Sequence, residues 1–137
     1  MTIREKMHRL PREFYQGPVS VAFTLCVKDR AKAFSVPHVV DAFNDMLSDV
    51  ATKTGCIVPV YCFMPDHQHV VITGTHSGSD TWKAVVSYKQ KTGYWLSVNR
   101  PGTEWQKDFY DHVIQSQKGF AARVKYILDN PVRKQPG

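Results

Sequence analysis

Two histidines one residue apart, His67 and His69, stand in "FMPDHQHVVITG" directly after a Pro-Asp turn signal. Alternate residues of a strand share a face, so both imidazoles would point the same way. Two such imidazoles are either structural, held by hydrogen bonds, or half of a metal site. Further along, "KYILDN" places Tyr126 and Asn130 four apart, on one face of a helix and about one turn from each other. Two imidazole nitrogens and an amide oxygen suit Mg²⁺ or Mn²⁺ with open positions better than a thiolate-rich zinc set. An ion so held polarises a phosphodiester and offsets charge in the transition state. A tyrosine hydroxyl beside it would attack phosphorus in line and keep one DNA end covalently. Free tyrosine ionises near about 10, so the ion's hold on phosphate and leaving oxygen would supply much of the drive.

These residues need a scaffold, and the hydrophobic patterning predicts one. "PVSVAFTLCVKD", residues 18–29, reads as a buried strand. Val39, Val40, Phe43, Met46, Leu47 and Val50 recur at helical spacing before Gly55 closes the run. "CIVPVYCF" and "HQHVVITG" are two strands joined through Met64-Pro65-Asp66. A helix over 79–99 follows, capped by Ser79 or Asp80, then a short strand "DFYDHVIQ". "QKGFAARVKYILDN" is a last helix, expected to stop at Pro131 because the residue before a proline is pushed out of the α region. The order is βαββαβ plus a C-terminal helix: an α+β, ferredoxin-like antiparallel sheet. That architecture serves many functions and by itself decides no chemistry.

The chain of 137 residues is expected to be one domain, with a basic segment 1–17, a core 18–130 and a short tail 131–137. No stretch is long enough to span a bilayer, and the N-terminus lacks an apolar run with a cleavage site, so the expected location is the cytoplasm. Cys26, Cys56 and Cys62 are an odd number in no framework spacing and are expected to stay reduced. A zinc set of Cys62, His67 and His69 is the competing metal assignment, though Cys62 lies in an apolar strand and reads as core. A net charge of +6 favours an acidic partner such as nucleic acid.

Lys89 and Lys91 stand among Tyr88, Tyr94 and Trp95, a pattern that fits single-stranded DNA: cations on phosphates, rings under bases. It fits equally an amphipathic helix with a core-facing aromatic side. Arg123, Lys125, Arg133 and Lys134 flank Tyr126 and are candidates for phosphate contact, and Arg12 in the basic N-terminal segment is a further one. Tyr126 itself has core-like neighbours in Val124, Ile127 and Leu128. Tyr88, Tyr94 and Tyr110 are rival nucleophiles by type, but none has a candidate ligand one helical turn away.

"MPDHQHVVI", "WQKDFYDHVI" and "VKYILDNPVRK" resemble, in that order, the motifs of single-tyrosine HUH transposases of small insertion sequences, most closely the REP-associated tyrosine transposases. The opening "RLPREFYQGPVSVAFTLCVKDRAKAF" is also similar to that family, so the resemblance covers most of the chain. It implies a metal-dependent enzyme that cleaves single-stranded hairpin DNA, forms a 5′-phosphotyrosine link and rejoins strands by the reverse attack. By the resemblance His67 and His69 are metal ligands, Tyr126 is the nucleophile and Asn130 the third ligand. The implied partner is single-stranded hairpin DNA, with the protein a monomer or a homodimer. Where the family carries a hydrophobic residue between its two histidines, this chain has Gln68, which points to the helix-covered side and would need a buried partner. Two other functions stay open: a non-catalytic hairpin-binding module, and a replication-initiator or relaxase-type nickase. A generic ferredoxin-like RNA binder would want paired aromatics on the central strands, which "HQHVVITG" lacks.

Overall fold

The computed structural model describes residues 9–134, with side chains from Arg9 to Asp129. The elements run β1 (Ser20–Cys26), α1 (Pro37–Lys53), β2 (Cys56–Met64), β3 (His67–Gly74), α2 (Thr81–Asn99), β4 (Tyr110–Ile114) and α3 (Gln117–Lys134). The sheet order is β2-β3-β1-β4, and every neighbouring pair is antiparallel. This is the expected ferredoxin-like α+β arrangement with one helix added after it.

Local signals account for the boundaries. Pro37 opens α1, where its missing N–H costs nothing. Gly55, at φ 72°, takes the left-handed conformation just past the helix end. The two-residue Pro65-Asp66 connection folds β2 back onto β3. Asp80, not Ser79, caps α2 by accepting the Lys83 N–H at 2.9 Å. The Ser79 hydroxyl is used elsewhere, accepting from the Thr75 and His76 N–H groups and donating to the Gly55 carbonyl.

One boundary differs from the sequence reading. The last helix does not stop at Pro131 but continues to Lys134. A proline inside a helix removes one backbone hydrogen bond and disfavours the α conformation before it, which weakens a helix without forbidding it.

Because a strand alternates, β3 serves two layers. Gln68, Val70 and Ile72 face α1 and α2 and join a large core built on Phe23, Phe34, Phe43, Tyr88, Trp105 and Phe109. His67, His69 and Val71 face the other way. There α3 lays Ile127, Val124 and Phe120 on Ala22, Val60, Val71 and Ile114, a much smaller core. The N-terminal segment that the structure describes is docked against the sheet. Arg9 donates to the Phe109 carbonyl at 2.7 Å, stacks over Trp82 and Phe109 and pairs with Asp111 at 3.1 Å. Tyr15 donates to the same Asp111 at 2.5 Å. Among the described residues no helix is long and apolar enough to cross a membrane.

Candidate active site

His67 and His69 open β3, and their ring centroids lie 4.9 Å apart with the planes nearly perpendicular. Each ring is held by its Nδ1. His67 Nδ1 meets the Asp66 carboxylate at 2.7 Å, and His69 Nδ1 shares a 3.1 Å hydrogen bond with the Thr24 hydroxyl. Each of these partners fixes the orientation of its ring, and a ring whose Nδ1–H donates is in the tautomer with Nε2 as its acceptor nitrogen. Asp66 is in turn bonded by Arg30 at 2.7 Å. Burial pushes the Asp66 carboxyl up, but the hydrogen bonds from His67 and Arg30 outweigh it and leave it below the usual range. Arg30 reaches this position from a backbone φ of 57°, a conformation uncommon outside glycine, so the turn after β1 stores strain beside the site.

Tyr126 lies across from this pair. It belongs to α3, whose next residue Ile127 is fully buried, while Tyr126 is 44% exposed. Its ring centroid is 6.0 Å from that of His69, edge to face. The Arg123 guanidinium sits 5.6 Å from the Tyr126 centroid, one turn back on the helix. The sheet and α3 thus bring three of the predicted groups together from positions nearly sixty residues apart in the chain. The side chains of Asn130, Arg133 and Lys134, and residues 1–8 with Arg4 and Lys6, lie outside the described residues.

Among the described residues no three His, Cys, Asp or Glu side chains converge to hold an ion. Cys62, though the direct cross-strand partner of His69, packs on the small core instead of completing a zinc set. Two fixed imidazoles, joined by amide or water oxygens, would suit a hard divalent cation, which keeps part of its water shell.

The basic residues divide. Lys125 is on α3 and pairs with Asp129 at 3.0 Å on an exposed face. Lys89 and Lys91 belong to α2, in the layer on the other side of the sheet from the histidines. The Lys89 ammonium donates to the Gln106 and Lys107 carbonyls at 2.8 and 3.1 Å and lies over Phe109. Burial lowers its pKa to about 8, with Asp108 pulling the other way. Lys91 pairs with Asp49 of α1 at 2.9 Å. Arg12 pairs with Asp80 at 3.1 Å, beyond the far end of β3 from the histidines.

Sequence does not single out Asp66 or Thr24, and it gives Tyr88 other roles than the one it holds. By sequence Asp66 is a turn residue, and its place directly before the first histidine is the one signal of its second role. Thr24 had no signal, since its bond to His69 depends on the β1–β3 register. Tyr88 supplies the partner that Gln68 required: its hydroxyl donates to Gln68 Oε1 at 2.5 Å, and both side chains are fully buried.

Comparison with known proteins places these features in a family. Residues 17–130 match the family model described as "Transposase IS200 like". A chain named as a REP-associated tyrosine transposase in Haemophilus influenzae is 23% identical over 139 residues, spanning 93% of this chain and 77% of that one. Among solved structures, a REP-associated tyrosine transposase bound to a REP hairpin superposes with a TM-score of 0.75 at 19% identity, covering 91% of this chain and 73% of its own. A structure from Deinococcus radiodurans, named as a transposase, gives 0.61 at 19% identity, covering 85% and 92%. At such identities the structural likeness speaks for the fold.

Proposed function

Since this chain belongs to the IS200-like transposase family, a family of DNA-processing enzymes, we propose that it cuts and rejoins single-stranded DNA at hairpin-forming repeat ends through a 5′-phosphotyrosine on Tyr126. The observation that carries this reading is the placement of an exposed helical tyrosine edge-on to His69, 6.0 Å between ring centroids, beside a second histidine on the same face. The fixed Nδ1 atoms support His67 and His69 as ligands through Nε2, with Asn130 as the third, as the resemblance implies. Mg²⁺ or Mn²⁺ held there would offset negative charge on the phosphate and leaving oxygen.

The chain's own residues supply the rest. Tyr126 Oη forms a bond to phosphorus and its proton passes to solvent. The P–O3′ bond breaks, and the departing oxygen takes up a proton as a free 3′-hydroxyl. The reverse attack by a 3′-hydroxyl rejoins strands and restores the tyrosine. Arg123, beside the ring, and Lys125 on the same helix present positive charge to the strand entering here, with Arg133 and Lys134 as further candidates. Lys89, Lys91 and Arg12 are engaged within the fold away from Tyr126, which makes them secondary candidates. The hairpin as substrate class rests on the sequence resemblance and on the relative solved with a REP hairpin. His67, His69 and Tyr126 come together within one chain, which supports a monomer over a homodimer as the acting form.

Covalent trapping tests the reading. Purified protein and its Tyr126→Phe variant are mixed with labelled single-stranded hairpins, with Mn²⁺ or with chelator. The expected result is a protein–DNA adduct that needs the ion and disappears in the variant. Tight hairpin binding without adduct, indifferent to ion and to Tyr126→Phe, would establish the non-catalytic module instead.

A further inference from the structure

The histidine-bearing face of the sheet is only partly covered by α3. The helix packs on Ala22, Val60, Val71 and Ile114. The next row crosses all four strands as Cys62, His69, Thr24 and Tyr110, each a direct cross-strand partner of the next. Direct partners project to the same side. Tyr110 therefore shares the face of His69, two strands or about 10 Å away, separated from it by Thr24, the residue that holds the His69 ring.

Tyr110 also differs from Tyr61 on β2, whose ring packs edge-on against Phe63, and from two tyrosines carried by helical segments. Tyr15 and Tyr88 are buried with their hydroxyls bonded to Asp111 and Gln68. Tyr110 is half-buried, and neither its hydroxyl nor its ring has a hydrogen bond or aromatic contact among the described residues. Its neighbour on this face, His112, is exposed. A strand-held aromatic ring open to solvent beside a phosphate-handling centre, in a chain of net charge +6, has the chemistry of a base-stacking platform.

We propose that Tyr110 is a substrate-positioning platform on which the nucleobase adjacent to the scissile phosphate stacks, so that the strand lies along the row from β3 across β1 to β4. This rests on the DNA-processing reading and adds a nucleotide subsite to it. Every base has a π-face, so the ring would fix the strand's position more than its sequence.

The test is a binding cycle in the Tyr126→Phe background, where no DNA is consumed. Tyr110→Ala, Tyr110→Ile and Tyr110→Phe are compared on labelled hairpins with a single-stranded flank, without a flank, and with one abasic position moved along it. Removing the ring should weaken binding to the intact flank roughly tenfold, while Tyr110→Phe binds as the parent. The flankless hairpin should show no difference, which also reports an intact fold; Tyr110→Ile serves if the alanine variant unfolds. One abasic position should erase the difference between parent and ring-less variant. Equal affinity on the intact flank, or a loss undiminished at every abasic position, would overturn the platform. The two readings fail separately. An adduct in trapping with no Tyr110 effect sinks the platform alone; the full cycle without any adduct sinks cleavage alone. Absence of binding by the parent sinks both.

Discussion

The two faces of β3 carry neighbouring residues to opposite fates. On one face Gln68 is sealed between two helices, bonded by Tyr88 and surrounded by large aromatic rings. On the other, His67 and His69 sit beside a thin apolar patch under a single helix whose tyrosine stays exposed. The thick face can hold the strand still, while on the thin face His69 is buried and Tyr126 beside it stays exposed. Rigid packing behind and open space in front is how a site gains geometry without losing access.

Substitutions in this one strand should break the comparison cleanly if it is right. His69→Ala should abolish ion-dependent adduct formation in a trapping gel while urea denaturation remains near wild type; a matching loss of stability would mean the histidine is structural. Asp66→Asn leaves both rings in place but weakens the hold on His67, and should raise the Mn²⁺ dissociation constant about 10–100-fold by calorimetry. On the thick face, Tyr88→Phe strands Gln68 Oε1 without its donor and should cost about 1–3 kcal/mol in denaturant unfolding. Adding Gln68→Leu should recover most of that loss, since both partners are then apolar.

A smaller effect separates buried from surface charge. Lys89 titrates near 8 in the folded chain against 10.5 as an ordinary lysine, because burial disfavours its charge. The unfolded chain therefore holds more protons between those values, and stability rises with pH across that window. Lys89→Met should flatten this rise in thermal melts taken from pH 7.5 to 10.5. Smallest of all, Lys91→Ala should change hairpin affinity less than about twofold, its charge being paired with Asp49. Arg123→Ala, beside Tyr126, should weaken binding several-fold and lower the salt dependence; a reversed order would move the DNA to the α2 side.

Much of this was legible beforehand. The period-two and helical patterns, Gly55 and the Pro-Asp turn mark elements whose cause is local, and the structure follows them closely. Pro131 misled, because a bias in backbone conformation is weaker than helix continuation. The basic residues of α2 were ambiguous for a different reason: charge beside aromatic rings looks alike whether it faces DNA or braces a loop, and only the carbonyls around Lys89 distinguish the two. Sequence alone determined that the histidines share a face, since strand geometry makes alternate residues parallel. Tertiary structure alone decided that Thr24 steadies His69, that Tyr88 bonds Gln68 Oε1 and that Tyr126 stands edge-on to His69. Those contacts join residues far apart in the chain, through strand register and helix docking that no local signal encodes.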